Sequence, residues 1–347
     1  MIILNKSLIA TMNTNDIFII AEVGQAHDGS LGIAHSFIDA LKETGVDAVK
    51  FQVHIAHAES SMHEQFRLKF SYEDSTRYDY WKRMEFSEEE WAGLKDHCEK
   101  IGLEFMASCF SNEAVDLLGR LQVRRFKVGS GEVTNHLMLN KIASYSKPVI
   151  LSSGMSSFGE LDSAVDLLKS RNCDLSILQC TTAYPVKPEE WGLNVLDELR
   201  NRYNVPVGLS DHSGEIYASL AAAALGADII EFHVAFDKRM FGPDSPASLT
   251  ISQTTKVVQG IRTIRQSLLN PVNKNDISKF AELKTIFEKS LSINRNMKAG
   301  TIITIDMLEA KKPKGYGIPA SEYESVLGRK LKEDMNAWDF LNYEDLQ

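Results

Sequence analysis

Two lysines, two histidines and a series of serines and carboxylates recur along the first 250 residues of this 347-residue chain, most at or just past the end of a short apolar run. Lys50 follows Asp47–Val49 and Lys127 lies within Arg124–Val128. Two ammonium groups brought together repel unless an anion neutralises them, so their convergence predicts a phosphate or carboxylate ligand. Ser130, between Gly129 and Gly131 in KVGSGE, and Ser152–Gly154 in LSSGM are small enough for hydroxyls and backbone N–H groups to close around anionic oxygens. His212 and His233 follow two further runs. With Glu22 near, a pair of imidazoles suits a divalent first-row metal that keeps open positions for water or substrate. Glu132 and Asp244 add carboxylates that can hold sugar hydroxyls or act as acid and base, and Tyr184 in CTTAYPVKPEE can lie over a sugar. Plainer readings stand beside these. A lone lysine is more often salt-bridged, a lone histidine more often a hydrogen-bonded structural residue, Asp244 in FGPDSPAS a turn former, and a loop tyrosine a packing residue.

The elements that must position these residues are eight short apolar runs: Ile17–Ala21, Asp47–Val49, Leu103–Ala107, Arg124–Val128, Pro148–Leu151, Leu175–Leu178, Val205–Leu209 and Asp228–Ile230. At or near their ends stand Glu22, Lys50 with Gln52, Ser108, Lys127, Ser152, Gln179, Ser210 with His212, and Glu231 with His233. Between the runs lie amphipathic stretches at Gly32–Thr44, Ser87–Ile101, Asn112–Leu121, His136–Tyr145, Phe158–Ser170, Gly214–Leu225 and Ser252–Leu269, with apolar residues at three- and four-residue spacing. Ser87 with Glu90 has capping-box spacing, and Ser111 and Ser252 are expected N-caps. Alternating strands and helices imply parallel strands. Eight of them favour a closed (β/α)8 TIM barrel, whose strand C-termini converge on one mouth.

One connection is too long for a barrel loop. Val53–Phe86, rich in His, Tyr and charge, reads equally as a functional lid or as a surface excursion with one extra helix. After Leu269 the sequence turns polar, and a patterned stretch with a Lys298–Gly300 turn follows. The expected organisation is a barrel over 1–270, a linker over 271–284 and a small domain over 285–347. A unit of about 60 residues is marginal alone, which suggests that it docks on the barrel or on a partner subunit.

Composition narrows the function. A net charge of −9 argues against a general nucleic-acid binder. There is no apolar run of membrane-spanning length, and Met1–Met12 lacks the features of a signal peptide, so the expected location is cytoplasmic. Cys98, Cys109, Cys173 and Cys180 show no metal-ribbon spacing and read as structural thiols.

The segments IIAEVGQAHDGSL, DAVKFQ, FKVGSGE, PVILSSGMSS, LQCTTAYP, VGLSDHSG, LGADIIEFHV and GPDSPASL, taken in order, resemble the sialic acid synthase family. Its members are phosphoenolpyruvate-dependent synthases of nine-carbon acids such as N-acetylneuraminate, legionaminate and pseudaminate. The resemblance continues into a C-terminal domain like the family's antifreeze-like (SAF) module. It implies condensation of phosphoenolpyruvate with an open-chain hexosamine-type sugar, releasing phosphate by C–O cleavage. It implies a phosphoenolpyruvate pocket of Lys50, Gln52, Ser108, Lys127, Ser130, Ser152 and Ser210. It implies a metal pair, His212 and His233, holding manganese, or else magnesium or cobalt. Glu22 is implied as a catalytic group beside them, with Phe110, Glu132, Tyr184 and Asp244 near the sugar, in a domain-swapped homodimer serving surface polysaccharide biosynthesis. Two departures bear on the acceptor. Ala26-His27 stands where the family has Asn-His, and KKPKGYGIP, with Lys312 and an extra Lys314, stands where an arginine turn would reach the partner's sugar. A lysine cannot reproduce a bidentate guanidinium contact, so a differently acylated, deoxygenated or non-acylated sugar enters consideration. The alternatives are a metal-dependent barrel aldolase or hydrolase acting on a phosphorylated sugar, and a noncatalytic sugar-binding or coat-assembly protein.

Overall fold

A computed structural model describes residues 16–68 and 70–347. The Met1–Met12 stretch therefore lies outside the described residues. Those residues form two compact units, and the chain passes from one to the other between Asn270 and Pro271.

In the first unit the eight apolar runs are eight parallel strands: β1 Phe18–Gly24, β2 Ala48–Val53, β3 Glu104–Cys109, β4 Phe126–Val128, β5 Val149–Ser152, β6 Leu175–Cys180, β7 Val207–Asp211 and β8 Ile229–Ala235. Each pairs with the next, and β1 pairs with β8, closing the barrel. Helices cover the outside, where branched and aromatic side chains such as Phe37, Phe51, Trp91 and Ile230 make the main core. All seven expected helices are present, with ends shifted by up to three residues. An eighth, Val195–Tyr203, was not expected. Its N-cap, Asn194, makes no capping bond, so the usual start signal is missing. The Ser87–Glu90 capping box and the Ser111 cap form. Ser252 does not cap. Thr250 does, accepting from Gln253 N–H in a capping box of its own, which places Ser252 inside the first turn.

Most strands run past the polar residues expected to end them, to Gly24, Val53, Cys109, Cys180, Asp211 and Ala235. Strand side chains alternate between faces, so every second residue of a barrel strand points inward. Ile20, Ala48, Met106, Ile150, Leu178 and Ile229 form an apolar plug inside the barrel. Two residues further along the same strands stand Glu22, Lys50, Ser108, Ser152, Cys180 and Glu231. The backbone ladder continues while the interior changes from oil to charge.

The Val53–Phe86 connection carries two helices, Ala56–Glu59 and Arg77–Met84, the second with a Thr76–Asp79 capping box. It has a small core of its own in Ala56, Tyr80, Trp81 and Met84, packed against Phe66 and Phe70. In the second unit, Ser290–Ile293 pairs antiparallel with Leu308–Lys311 over a core of Leu291, Ile293, Ile303, Val326, Leu331 and Leu341. Thr301 N–H bonds the Lys298 carbonyl, making the expected turn, and Gly300 sits at φ +82°, where a side chain would be strained. A short helix, Ala281–Phe287, straddles the boundary expected between linker and small domain, beginning inside 271–284 and ending three residues beyond it.

Candidate active site

Periodicity brings four charged groups together inside the barrel mouth. Lys50 on β2 is ion-paired with Glu22 on β1, and its Nζ lies 3.7 Å from Glu231 on β8. Lys127 on β4 lies 3.4 Å from the other oxygen of Glu231. All four are buried. Glu231, passed over as a site residue from sequence, therefore bridges the two ammonium groups. This corrects the argument that the lysines must draw their counter-charge from a ligand, because two carboxylates of the protein supply it. The signal was available in the i, i+2 spacing of Glu231 and His233, which puts both on the inner face of one strand.

The serines complete this layer. Lys50 donates to Ser108 Oγ at 3.0 Å and Lys127 to Ser152 Oγ at 2.8 Å, while Ser210 donates to Glu231 at 3.0 Å. Ser130 accepts from Gly154 N–H at 3.1 Å and donates to Cys180 Sγ at 3.3 Å. A side chain at Gly154 would press within 2.6 Å of the Ser130 and Thr182 hydroxyls, so this closure requires glycine.

The two carboxylates are driven apart in acidity. Burial and neighbouring Glu231 push Glu22 up to about 7 against the pull of Lys50. Burial would also raise Glu231, but Lys127, Lys50 and the Ser210 hydrogen bond outweigh it and hold it at about 2. A pair tuned in opposite directions separates a fixed anion from a proton carrier. Burial lowers Lys127, partly offset by Glu231, whereas Glu22 and Glu231 outweigh burial at Lys50 and raise it.

One step nearer the opening, His212 and His233 face each other with ring centroids 5.1 Å apart. Burial pushes both down to about 3, so both are neutral imidazoles with a nitrogen lone pair to give. Asp244 lies 4.0 Å from His233 Nδ1, and Cys180 Sγ lies 3.7 Å from His212 Nδ1. The Tyr184 ring sits 4.4 Å from His212. Among the described residues no group of three or more His, Cys, Asp or Glu is gathered for a metal. Glu22, expected to help the histidines, instead pairs with Lys50. The neutral imidazole pair still fits a divalent ion whose remaining ligands are water or substrate.

Above this lies a cavity of about 450 Å³. Gln52, Phe110, Glu132, Tyr184 and Asp244, all named from sequence, line it. So do groups that sequence reasoning did not name: Gln25, His54, Arg67, Arg77, Trp81 and Met155. His54 is stacked between Trp81 at 3.8 Å and Phe110 at 4.5 Å, and its ring nitrogens meet Glu59 and Gln52. Gln25, beside Ala26, bonds Gln52 at 2.9 Å and accepts from Tyr80, so an amide stands one residue before the position where Ala26 lacks one. Glu132 bonds Asn135, and burial raises its carboxyl. Lys312 belongs to the second unit, where its ammonium lies 4.6 Å over the Phe287 ring.

Comparison with known proteins bears on the family and the fold. A family model described as the NeuB family matches residues 37–273, and a SAF domain model matches 288–347. The chain is 35% identical over 326 residues to N,N'-diacetyllegionaminic acid synthase of Campylobacter jejuni, covering 91% of this chain and 97% of that protein. It is 34% identical over 320 residues to human N-acetylneuraminate-9-phosphate synthase, covering 90% and 88%. Among solved structures it resembles an N-acetylneuraminic acid (sialic acid) synthetase from Leptospira borgpetersenii in complex with citrate. The TM-score is 0.71 at 29% identity, over 80% of this chain and 95% of that one.

Proposed function

This chain belongs to the NeuB family, and we propose that it makes a nonulosonic, sialic-acid-like acid by condensing phosphoenolpyruvate with an open-chain hexosamine-type sugar. The observation that carries the reading is the pairing of Lys50 and Lys127 with Ser108 and Ser152 directly beneath two facing neutral histidines. A doubly anionic small substrate and a carbonyl acceptor can then be held within one mouth.

Lys50 and Lys127, with Ser130, Ser210 and Gln52 beside them, hold the phosphate and carboxylate of phosphoenolpyruvate. His212 and His233 hold a divalent ion, manganese or else magnesium or cobalt, which when bound supplies Lewis-acid polarisation of the sugar carbonyl. C3 of phosphoenolpyruvate forms the new bond to that carbonyl carbon, and positive charge develops at C2. Glu231, held ionised, offsets that charge, and Glu22, titrating near neutrality, takes a proton from the water that adds at C2. That proton passes to the former carbonyl oxygen, which becomes the new hydroxyl. The tetrahedral C2 then expels phosphate with its bridging oxygen, while its own hydroxyl gives up its proton to the departing phosphate and becomes the ketone. Tyr184, Phe110, Glu132 and Asp244 form walls for the sugar. In this reading the protein is a cytoplasmic, domain-swapped homodimer. No helix among the described residues is long and apolar enough to cross a membrane. Val272, Ile277, Phe280, Leu283, Ile286 and Phe287 form a run of exposed apolar side chains that a second copy can cover.

The test is phosphate release from phosphoenolpyruvate labelled with heavy oxygen at the bridging position, with manganese and a panel of hexosamines. Label leaving with phosphate, only when sugar is present, supports the synthase. Phosphate released from the sugar instead would favour a metal-dependent aldolase or hydrolase. His212→Ala or His233→Ala is expected to abolish metal-dependent turnover and weaken manganese binding in titration. Wild-type rates in either variant would sink the metal assignment.

A further inference from the structure

The upper cavity holds a group that the chemistry above leaves unused. Arg77 opens the Arg77–Met84 helix with its side chain only 15% exposed, lying 3.9 Å over the Trp81 ring. Its nearest carboxylate is Glu64, 3.5 Å from Nε. Among the described residues neither terminal nitrogen of its fork has a protein acceptor. Burial lowers its pKa, as expected of a guanidinium short of compensating charge. The cavity's acids offset that burial only in part. Glu59 accepts with both oxygens from His54 and the Ile55 N–H, Glu64 turns one oxygen to Ser60 and Trp81 and leaves the other to Arg77 Nε alone, Glu132 accepts from Asn135, and Asp244 lies nearest Arg67. A second guanidinium, Arg67, lies 4.3 Å over Tyr184 and 3.6 Å from Asp244, in the same cavity.

A mostly buried, planar fork with open donors facing a polar cavity matches the two-point geometry of a carboxylate or phosphate. We propose that Arg77, assisted by Arg67, forms an anion subsite, and that the acceptor sugar carries a phosphate ester or a carboxylate. This rests on the synthase reading and narrows its substrate class. Stacking on Trp81 holds the guanidinium plane in place before the ligand arrives, so little freedom is lost on binding.

The experiment compares a neutral 2-acetamido-hexose, the same sugar as its 6-phosphate, and the corresponding hexuronate, using the full-length protein with phosphoenolpyruvate and manganese. One anionic sugar is expected to exceed the neutral one in kcat/KM by about tenfold or more, and which one does so separates phosphate from carboxylate. Arg77→Gln is expected to erase that preference through KM, with Arg77→Lys restoring part of it. Equal use of neutral and anionic sugars by the wild type overturns the proposal, as does an Arg77→Gln loss shared equally by all three sugars. If Arg77→Gln does not fold, the wild-type preference decides. If no sugar supports phosphate release, the synthase reading falls, and the subsite is then judged by calorimetric binding. There an anionic sugar must still bind more tightly than its neutral parent, and equal affinity overturns it.

Discussion

The inner and outer halves of the barrel mouth are built on opposite plans. The inner half is a ring of strand residues, Glu22, Lys50, Lys127 and Glu231, buried and mutually neutralised. The outer half is a cavity walled by loops, in which His54, Trp81 and Phe110 stack and two arginines face the opening. A strand residue takes its direction from a ladder of backbone bonds, so the inner geometry exists before any ligand binds. A loop residue takes its direction from local packing, here the small cluster of Ala56, Tyr80, Trp81 and Met84. The inner half therefore suits a substrate common to a reaction class, and the outer half suits the partner that varies.

The strongest test of this division is Lys50→Met. It leaves Glu22 and Glu231 buried without one of their two cations. The expected cost is about 3–5 kcal/mol in thermal unfolding, with phosphoenolpyruvate-dependent turnover down by roughly 1,000-fold or more. Adding Glu22→Gln removes one of the stranded carboxylates and is expected to recover most of the stability and none of the turnover. Recovery of both would mean that the ring is only a structural plug.

Glu22→Gln alone comes next. Loss of its proton transfer is expected to lower kcat by about 100-fold while leaving KM for phosphoenolpyruvate within a few-fold. Its stability effect has a definite sign. Glu22 keeps its proton up to about pH 7 in the fold, against an ordinary value of 4.5. Between those values the native state binds more protons than the unfolded chain, so its contribution is complete below pH 4.5 and is lost as pH rises through 7. Chemical unfolding across that window is expected to show a slope in wild type that Glu22→Gln removes. Parallel curves would place the proton elsewhere.

The same division governs what could be read from the sequence. The barrel was legible because eight apolar runs alternate with helical stretches, and Lys50, Ser108, Lys127, Ser152, Ser210 and His233 were legible because strand spacing alone points them inward. Glu231 has that spacing too. What marks it as the shared counter-charge, its approach to Lys50 and Lys127 from two other strands, exists only in the closed barrel. The outer wall was not legible. Residues 53–86 have neither strand nor sustained helix periodicity, and Arg77 and Trp81 reach the cavity only because the Arg77–Met84 helix packs on its own small core, a fact of tertiary structure. Ala26 carries no amide, and that Gln25 beside it supplies one to Gln52 depends on how the β1 loop packs.

His54→Phe probes that outer wall. The ring stack between Trp81 and Phe110 survives, while the bonds to Glu59 and Gln52 are lost. The expected outcome is an acceptor KM raised by about tenfold, from two hydrogen bonds of ordinary net strength, with KM for phosphoenolpyruvate unchanged. A matching rise for both substrates would show that Gln52 couples the two halves.

The smallest effect is expected at Met155, and it is the most discriminating because stability and binding should move separately. Met155 follows the Ser152–Gly154 closure at φ +60°, lines the cavity, and is 69% exposed. Replacing it with glycine relieves about 1–2 kcal/mol of left-handed backbone strain but frees the unfolded chain by roughly 0.5–1 kcal/mol, so the melting temperature should barely move. The thioether lost from the cavity wall should raise acceptor KM a few-fold at most. Ser152 and Ser130 keep their partners, since neither bond involves the Met155 side chain, so KM for phosphoenolpyruvate should hold. A change in that constant with the acceptor's unaffected would reverse the assignment of the two halves at a residue where they adjoin in sequence.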